Sequence, residues 1–272
     1  MQLSFMTWVC PQWDLTEILT GAIRYGYDSV EPRAEADQKH GVEIEATKKQ
    51  RASIRAAFED TGVKMSCIAT SRRYAIADDK ERAESVEVTK RYVELADDLG
   101  CNHIRVFGGM TPEGMEFSEA KKYVADSLRE AATAAEGSQV HLCIETHDAY
   151  CLANDLMEVI RMANHPHIAI CWDIMHPVTH GMSMAEAFEY VKGLTRHCHI
   201  HDGRIPEGEK RAEMCLTGEG DIPHDEAVRL LASIDFKGAL SGEWINFLPP
   251  EQILPQNADI MRRYIHQARA GG

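Results

Sequence analysis

No run in this 272-residue chain approaches the roughly 18 to 20 consecutive apolar residues that a membrane span requires. The amino terminus, MQLSFMTWVC, lacks the basic segment followed by an apolar one that marks a secretory signal. Both gaps point to a cytoplasmic protein with no membrane partner. Basic runs are missing as well: 29 Lys and Arg stand against 43 Asp and Glu, a formal charge of −14. Phosphate backbones are gripped by clustered Lys and Arg, so this balance argues against a nucleic-acid partner. The eight cysteines, Cys10, Cys67, Cys101, Cys143, Cys151, Cys171, Cys198 and Cys215, form no C-x-x-C pair. Several sit inside strand-like runs, as reduced thiols that pack like small apolar residues. There is no Pro/Gly-rich linker, no break in composition and no G-x-G-x-x-G fingerprint of a dinucleotide-binding sheet.

What is present is alternation. Strand-like runs are expected at 3–10, 29–33, 64–71, 103–109, 141–147, 168–176, 197–203 and 239–244. Helical patterns lie between them, at 15–25, 43–61, 80–99, 118–136, 154–163, 183–194, 224–233 and 255–268. Gly62, Gly100 and Gly137 stand where three of these helices should stop, and Ser118 where one should start. Strict alternation implies a parallel sheet covered by helices. Eight units without a dinucleotide fingerprint favour an α/β fold closed into a single (β/α)8 TIM barrel over residues 1–272, with an open doubly wound sheet as the alternative.

In such barrels the site lies at the C-terminal ends of the strands. Side chains alternate along a strand, so HLCIETHD puts Cys143, Glu145 and His147 on one face, and IAICWD puts Cys171 with Asp173. RHCHIHDG aligns His197, His199 and His201, and ALSGEW aligns Ser241 with Glu243. With Glu145, Asp173, His199 and Glu243 taken as the inward set, three of the four residues beneath them are small. Three carboxylates and an imidazole brought together must protonate or capture a cation. Such donors suit one divalent metal ion that prefers oxygen, Mn²⁺ or Mg²⁺ first, with Co²⁺ or Zn²⁺ open. Further along, SVEPR puts Glu31 and Arg33 at the end of strand two, where an ion pair or a substrate contact is expected. Arg105, inside the barrel, should meet Glu31 or another strand-end acid. Arg72 and Arg73 read as solvated, or as holding an anionic group. The segment 204–221 is long for a βα loop and reads as a lid over the mouth.

The motifs ETH, WDIMH, HIHD, GEGDIP and GEW resemble the xylose isomerase-like TIM-barrel superfamily of sugar isomerases and epimerases, which includes inosose dehydratase-like proteins. The resemblance covers nearly the whole chain. It implies a divalent metal held by Glu145, Asp173, His199 and Glu243, with His147 and His176 near substrate oxygens or a metal-bound water, and Arg204 as a substrate-binding arginine. Two positions depart from the pattern. His201 stands where the family commonly has lysine, and imidazole titrates near neutrality. Cys151 stands six positions after the first ligand, where ketose 3-epimerases often carry another Glu.

A metal flanked by Glu145 and Glu243 suits removal of a proton next to a carbonyl through a stabilised enediolate, one glutamate taking the proton and the same or the other returning it. The expected substrate is a small sugar, sugar derivative or cyclitol, and homo-oligomerisation is open. The first expectation is therefore an isomerase or epimerase. The alternative is a lyase or dehydratase acting on a keto-cyclitol, a dehydroshikimate-like acid or a 3-keto-sugar. An endonuclease IV-like repair enzyme shares the barrel but conflicts with the acidic charge, and a non-catalytic sugar-binding protein would keep the ligands without the reaction.

Overall fold

The structure is a computed structural model that describes residues 1–209 and 211–270; Lys210, within the expected lid, and residues 271–272 lie outside the described residues. Its parallel sheet consists of β1 (Gln2–Met6), β2 (Ser29–Glu31), β3 (Lys64–Met65), β4 (Ile68–Arg73), β5 (His103–Phe107), β6 (His141–Glu145), β7 (Ile168–Asp173), β8 (Thr195–Ile200) and β11 (Ala239–Gly242), in the order β3-β2-β1-β11-β8-β7-β6-β5-β4. The expected third strand is thus split in two. β3 pairs with β2, β4 pairs with β5, and a parallel bridge between Arg33 and Ala69 carries the sheet across the split. The result is an eight-stave (β/α)8 barrel.

Helices follow the staves: α1 (Leu15–Tyr25), α2 (Lys48–Thr61), α3 (Asp79–Leu99), α4 (Phe117–Ala132), α5 (Ala153–Ala163), the short α6 (Met175–Thr179), α7 (Met184–Val191), α8 (His224–Ser233) and α9 (Pro250–Ala270). Their ends are set by local chemistry. Asp14 with Glu17 and Thr47 with Gln50 form reciprocal capping boxes, and Gly26, Gly62 and Gly100 close α1, α2 and α3 in the left-handed conformation. The Thr47 box moves the start of α2 from the expected residue 43 to Lys48. α4 begins at Phe117 after an extended Glu116 that makes no side-chain cap, so Ser118 is inside the helix and not its cap. α9 starts at Pro250 and carries Pro255 internally, one backbone hydrogen bond short, with the two residues before it, Ile253 and Leu254, fully buried. No helix among the described residues is long and apolar enough to cross a membrane.

The apolar core lies between sheet and helices, where Leu3, Phe5, Ile104, Leu142, Ile144, Ile170, Trp172, Cys198 and Trp244 pack outward. Among the described residues, Cys143, Ala169 and Cys171 form an apolar cluster inside the staves. Met6 and Ala69 also face inward, but much of the rest of the interior is polar: Ser4 bonds Ser66 at 2.8 Å, and Glu31, Arg105, His197 and His199 are all buried. A (β/α)8 interior is ordinarily filled by branched apolar side chains, so this one is built around charge.

Candidate metal centre

Register brings the strand ends together. Asp173 at the end of β7 lies opposite His199 on β8, His199 lies opposite Ser241 on β11, and Glu145 at the end of β6 lies opposite Cys171. Small residues beneath the ends, Cys143, Cys171 and Ser241, leave room for side chains to converge. One ligand atom from each of Glu145, Asp173, His199 and Glu243 lies within 4.8 Å of all the others. The first three are fully buried, and Glu243, just past β11, retains 14% of its side-chain exposure.

His199 is the hub. Its Nδ1 is 2.9 Å from Glu145 Oε1 and 3.1 Å from Glu243 Oε2, while its Nε2 is 3.1 Å from Glu31 Oε1. Burial works against charge on this ring, but Cys171, Glu31, Glu145 and Glu243 around it hold its pKa well above the ordinary value. Burial likewise opposes ionisation of Glu243; His199 and Arg105 outweigh it and bring the pKa to about 2. Asp173 is fully buried, yet His176 and His201 hold its carboxyl far below the usual range. Its Oδ1 accepts from the backbone N–H groups of Met175 and His176 at the start of α6, and its Oδ2 accepts from His201 Nε2 at 2.7 Å. The carboxylates of the cluster thus lie against the His199 ring and the Arg105 guanidinium.

Arg105 resolves one open expectation. It meets Glu145, Nη1 to Oε2 at 3.4 Å, and not Glu31. Glu31 instead accepts from His197 and His199, and Arg33 does not pair with it: the Arg33 guanidinium bonds Ala34, Ala69 and Ser71 and stacks over Trp8. Arg72 is not solvated but paired with Glu35 at 2.6 Å, whereas Arg73 is exposed.

At the rim, His147, His176 and His201 form a run of rings, with centroids 4.5 Å apart for the first pair and 5.7 Å for the second, and Phe107 packs on His147 at 4.9 Å. Burial would lower the pKa of His147, but Asp148 and Glu145 raise it to about 9. His176 is held below its ordinary value by burial, and His201 above it by Asp173. Arg204 does not join this group. β8 ends at Ile200, and the next strand, β9 (Asp202–Arg204), turns away to pair antiparallel with β10 (Glu213–Cys215). Arg204 is exposed there, its Nε 3.4 Å from the Glu219 carbonyl. Asp202 is fully buried and accepts from the backbone of Gly203, Gly218, Gly220 and Ile222, so the described part of segment 204–221 is a tethered hairpin. The sequence reading missed this anchor and the Glu31–His197 pair; the parity that put His197 one step below His199 was the one available signal for the latter.

Comparison with known proteins gives a family and a fold. The profile of the family described as xylose isomerase-like TIM barrel matches residues 20–264. L-ribulose-5-phosphate 3-epimerase UlaE of Shigella boydii is 26% identical over 144 residues, 52% of this chain and 50% of that protein, so the chain spans about half the length of this curated relative. Among solved structures, the probable 3-DHS dehydratase AsbF from Bacillus anthracis superposes with a TM-score of 0.79 at 16% identity, covering 96% of this chain and 99% of that one. The IolI protein with a bound zinc atom gives 0.80 at 18% identity, covering 100% and 99%. At these identities the two structures speak for the fold.

Proposed function

The chain belongs to the xylose isomerase-like TIM-barrel family, and from that premise we propose that it is a divalent-metal-dependent isomerase or epimerase that moves a proton next to a carbonyl of a small sugar or sugar derivative. The observation that carries this is the convergence of Glu145, Asp173, His199 and Glu243 at the barrel mouth. The donor set fits an ion: three carboxylates and one imidazole are oxygen-rich, which favours Mn²⁺, with Mg²⁺, Co²⁺ or Zn²⁺ as alternatives. Glu145 Oε2 supports the fit, being buried with no hydrogen-bond partner and only the 3.4 Å ion pair to Arg105. A cation held by these four groups would act as a Lewis acid on the substrate's carbonyl oxygen and favour loss of the neighbouring proton.

The chain's own groups divide the remaining work. Glu243, ionised and still open to the mouth, is placed to accept a proton from substrate carbon. Glu145, deeper and beside Arg105, faces the same space from another stave and is the second proton carrier. Return of the proton to the opposite face of the same carbon gives epimerisation, and return to the neighbouring carbon gives isomerisation. His147, His176 and His201 offer ring nitrogens at the rim to orient hydroxyls, and Phe107 backs them. UlaE, an epimerase by name, favours this assignment among relatives.

A second reading, a lyase that expels a β-hydroxyl, is favoured by one position. Cys151 stands where the resemblance to 3-epimerases calls for a further Glu, and its Sγ is directed to the Asp148 carbonyl at 3.1 Å. One experiment separates the readings. Chelator-stripped protein, restored with Mn²⁺, is incubated in D₂O with keto-sugars and cyclitols. Deuterium incorporation with hydroxyls retained is expected; loss of water with a new enone absorbance selects the lyase. Full turnover in stripped protein refutes the metal assignment.

A further inference from the structure

Beneath the candidate ligands lies a carboxylate that belongs neither to the mouth nor to the outer core. Glu31 ends β2 and is fully buried. Its Oε2 is 2.8 Å from His197 Nε2 and its Oε1 is 3.1 Å from His199 Nε2. An ionised carboxylate only accepts, so both contacts require a proton on the Nε2 of each ring. His197 Nδ1 is buried and has no hydrogen-bond partner. A neutral ring protonated on Nε2 leaves such an atom as a bare lone pair, which costs less than a buried N–H with nothing to meet. The two rings stand edge to face, 5.4 Å apart at 85°. With Nε2 of His199 engaged by Glu31, Nδ1 is the nitrogen left to face Glu145 and Glu243.

Building on the metal reading above, we infer that Glu31 and His197 form a buried positioning relay that fixes His199 in the tautomer offering Nδ1 to the cation. Neither residue touches substrate; the substrate contact expected of Glu31 is replaced by this role. Glu31 holds the ring in plane and increases its basicity as a ligand, as carboxylates behind ligating histidines do. His197 occupies the second oxygen of Glu31 and so prevents the carboxylate from swinging away from His199. A carboxylate serving only to fill the barrel with polar contacts would stabilise the fold without altering how His199 meets an ion.

Co²⁺ is the probe, because its visible bands report the geometry of its ligands. Titrated into the stripped full chain against a competing chelator, Glu31→Gln should bind Co²⁺ about 10- to 100-fold more weakly than wild type, with altered bands and an unchanged far-UV circular dichroism spectrum. His197→Phe, which keeps a ring but removes the N–H, should shift affinity in the same direction by a smaller factor. A Glu31→Gln protein with wild-type affinity and bands would overturn the relay. Should that variant not fold, ¹⁵N spectra of Zn²⁺-loaded, histidine-labelled wild type decide: the signal lost in His199→Asn should show a metal-shifted Nδ1 and a protonated Nε2, and the reverse assignment overturns the relay. A wild type that binds no Co²⁺ removes the metal reading and the relay together, a result distinct from a wild type that binds and a variant that binds equally well.

Discussion

Glu145 and Glu243 offer the same carboxylate to the same imidazole nitrogen, yet they stand in different surroundings. Glu145 is fully buried and is the close ion-pair partner of Arg105, whose guanidinium is 1% exposed and leaves Nε and Nη1 without hydrogen bonds. Removing one member of a buried pair strands the other's charge in a low-dielectric site. Glu145→Gln should therefore lower unfolding free energy by about 3 kcal/mol, whereas Glu243→Gln, still partly open to the mouth, should lower it by less. Both should lose about 10²- to 10⁴-fold in turnover, the usual reach of a proton-transferring side chain. Urea melts beside activity assays separate the two; equal stabilities would mean that Arg105 is neutralised by other groups. The four candidate ligands were legible from sequence because each lies at or beside the end of a strand and period-two alternation assigns its face. Glu31 was singled out, but its pairing was not legible, because its partner His197 lies 166 positions away and the contact crosses the barrel. Arg204 was expected near substrate from the family resemblance alone, and it lies apart from the rim because β8 stops at Ile200 and the chain turns into the β9–β10 hairpin.

Among the elements, the hairpin after β8 depends on a single side chain. Four backbone N–H groups, from Gly203, Gly218, Gly220 and Ile222, converge on the Asp202 carboxylate at 2.8 to 3.3 Å. A Cβ at Gly220 would collide with Asp202 and with the Gly203 carbonyl, so the loop is drawn in too closely there for any side chain. Asp202→Ala should leave the barrel folded and release the loop: hydrogen exchange at these four amides should rise by about 10-fold or more, the equivalent of at least 1.4 kcal/mol of local protection. Exchange at β6 and β7 should not change. If the four amides remain protected, the β9–β10 pairing holds the hairpin without its anchor. Sequence patterns located the helix ends well where a left-handed glycine closes them, as at Gly62 and Gly100, but overlooked the capping box at Thr47, so the start of α2 was expected at residue 43. At α4 the start was right to one residue but the cap was not, since Glu116 makes no side-chain cap, and the α9 start was missed because buried neighbours carry Pro255 inside the helix.

At the scale of the whole molecule, alternation of eight strand-like and eight helical segments was enough to indicate a barrel, since a parallel stave must return through a helix. Composition did not reveal that the barrel's interior is polar, because each strand contributes only one or two such residues. A molecule with so many buried imidazoles should have a narrow range of stable pH, and His40 shows why. It is 2% exposed in the loop after β2; its Nε2 donates to the Arg33 carbonyl and its Nδ1 accepts from the Val42 N–H. Protonating Nδ1 would set one N–H against another, and burial has already lowered the pKa to about 4. Half-buried His103, bonded to the Ser66 carbonyl, is lowered to about 4 by the same cause. Above pH 6.5 these rings are neutral both folded and unfolded and contribute nothing to pH dependence. As pH falls from 6.5 to 4 the unfolded chain takes up protons that the folded one refuses, and His40 alone should cost about 3 kcal/mol across that window. His147 acts in the opposite direction: with a folded pKa of about 9, the stability it contributes is complete below 6.5 and is lost as pH rises through 9. The metal-free protein should therefore be most stable near pH 6.5. Urea denaturation in chelator at pH 4.5, 6.5 and 9 checks this, and His40→Gln, which keeps a donor and an acceptor but does not titrate, should flatten the acid limb. An acid limb of the same slope in that variant would assign the loss to the other imidazoles lowered by burial, His103, His176 and His224, because the depressed carboxylates Glu31, Asp173 and Glu243 act only below about pH 4.5, the upper end of ordinary carboxylate values.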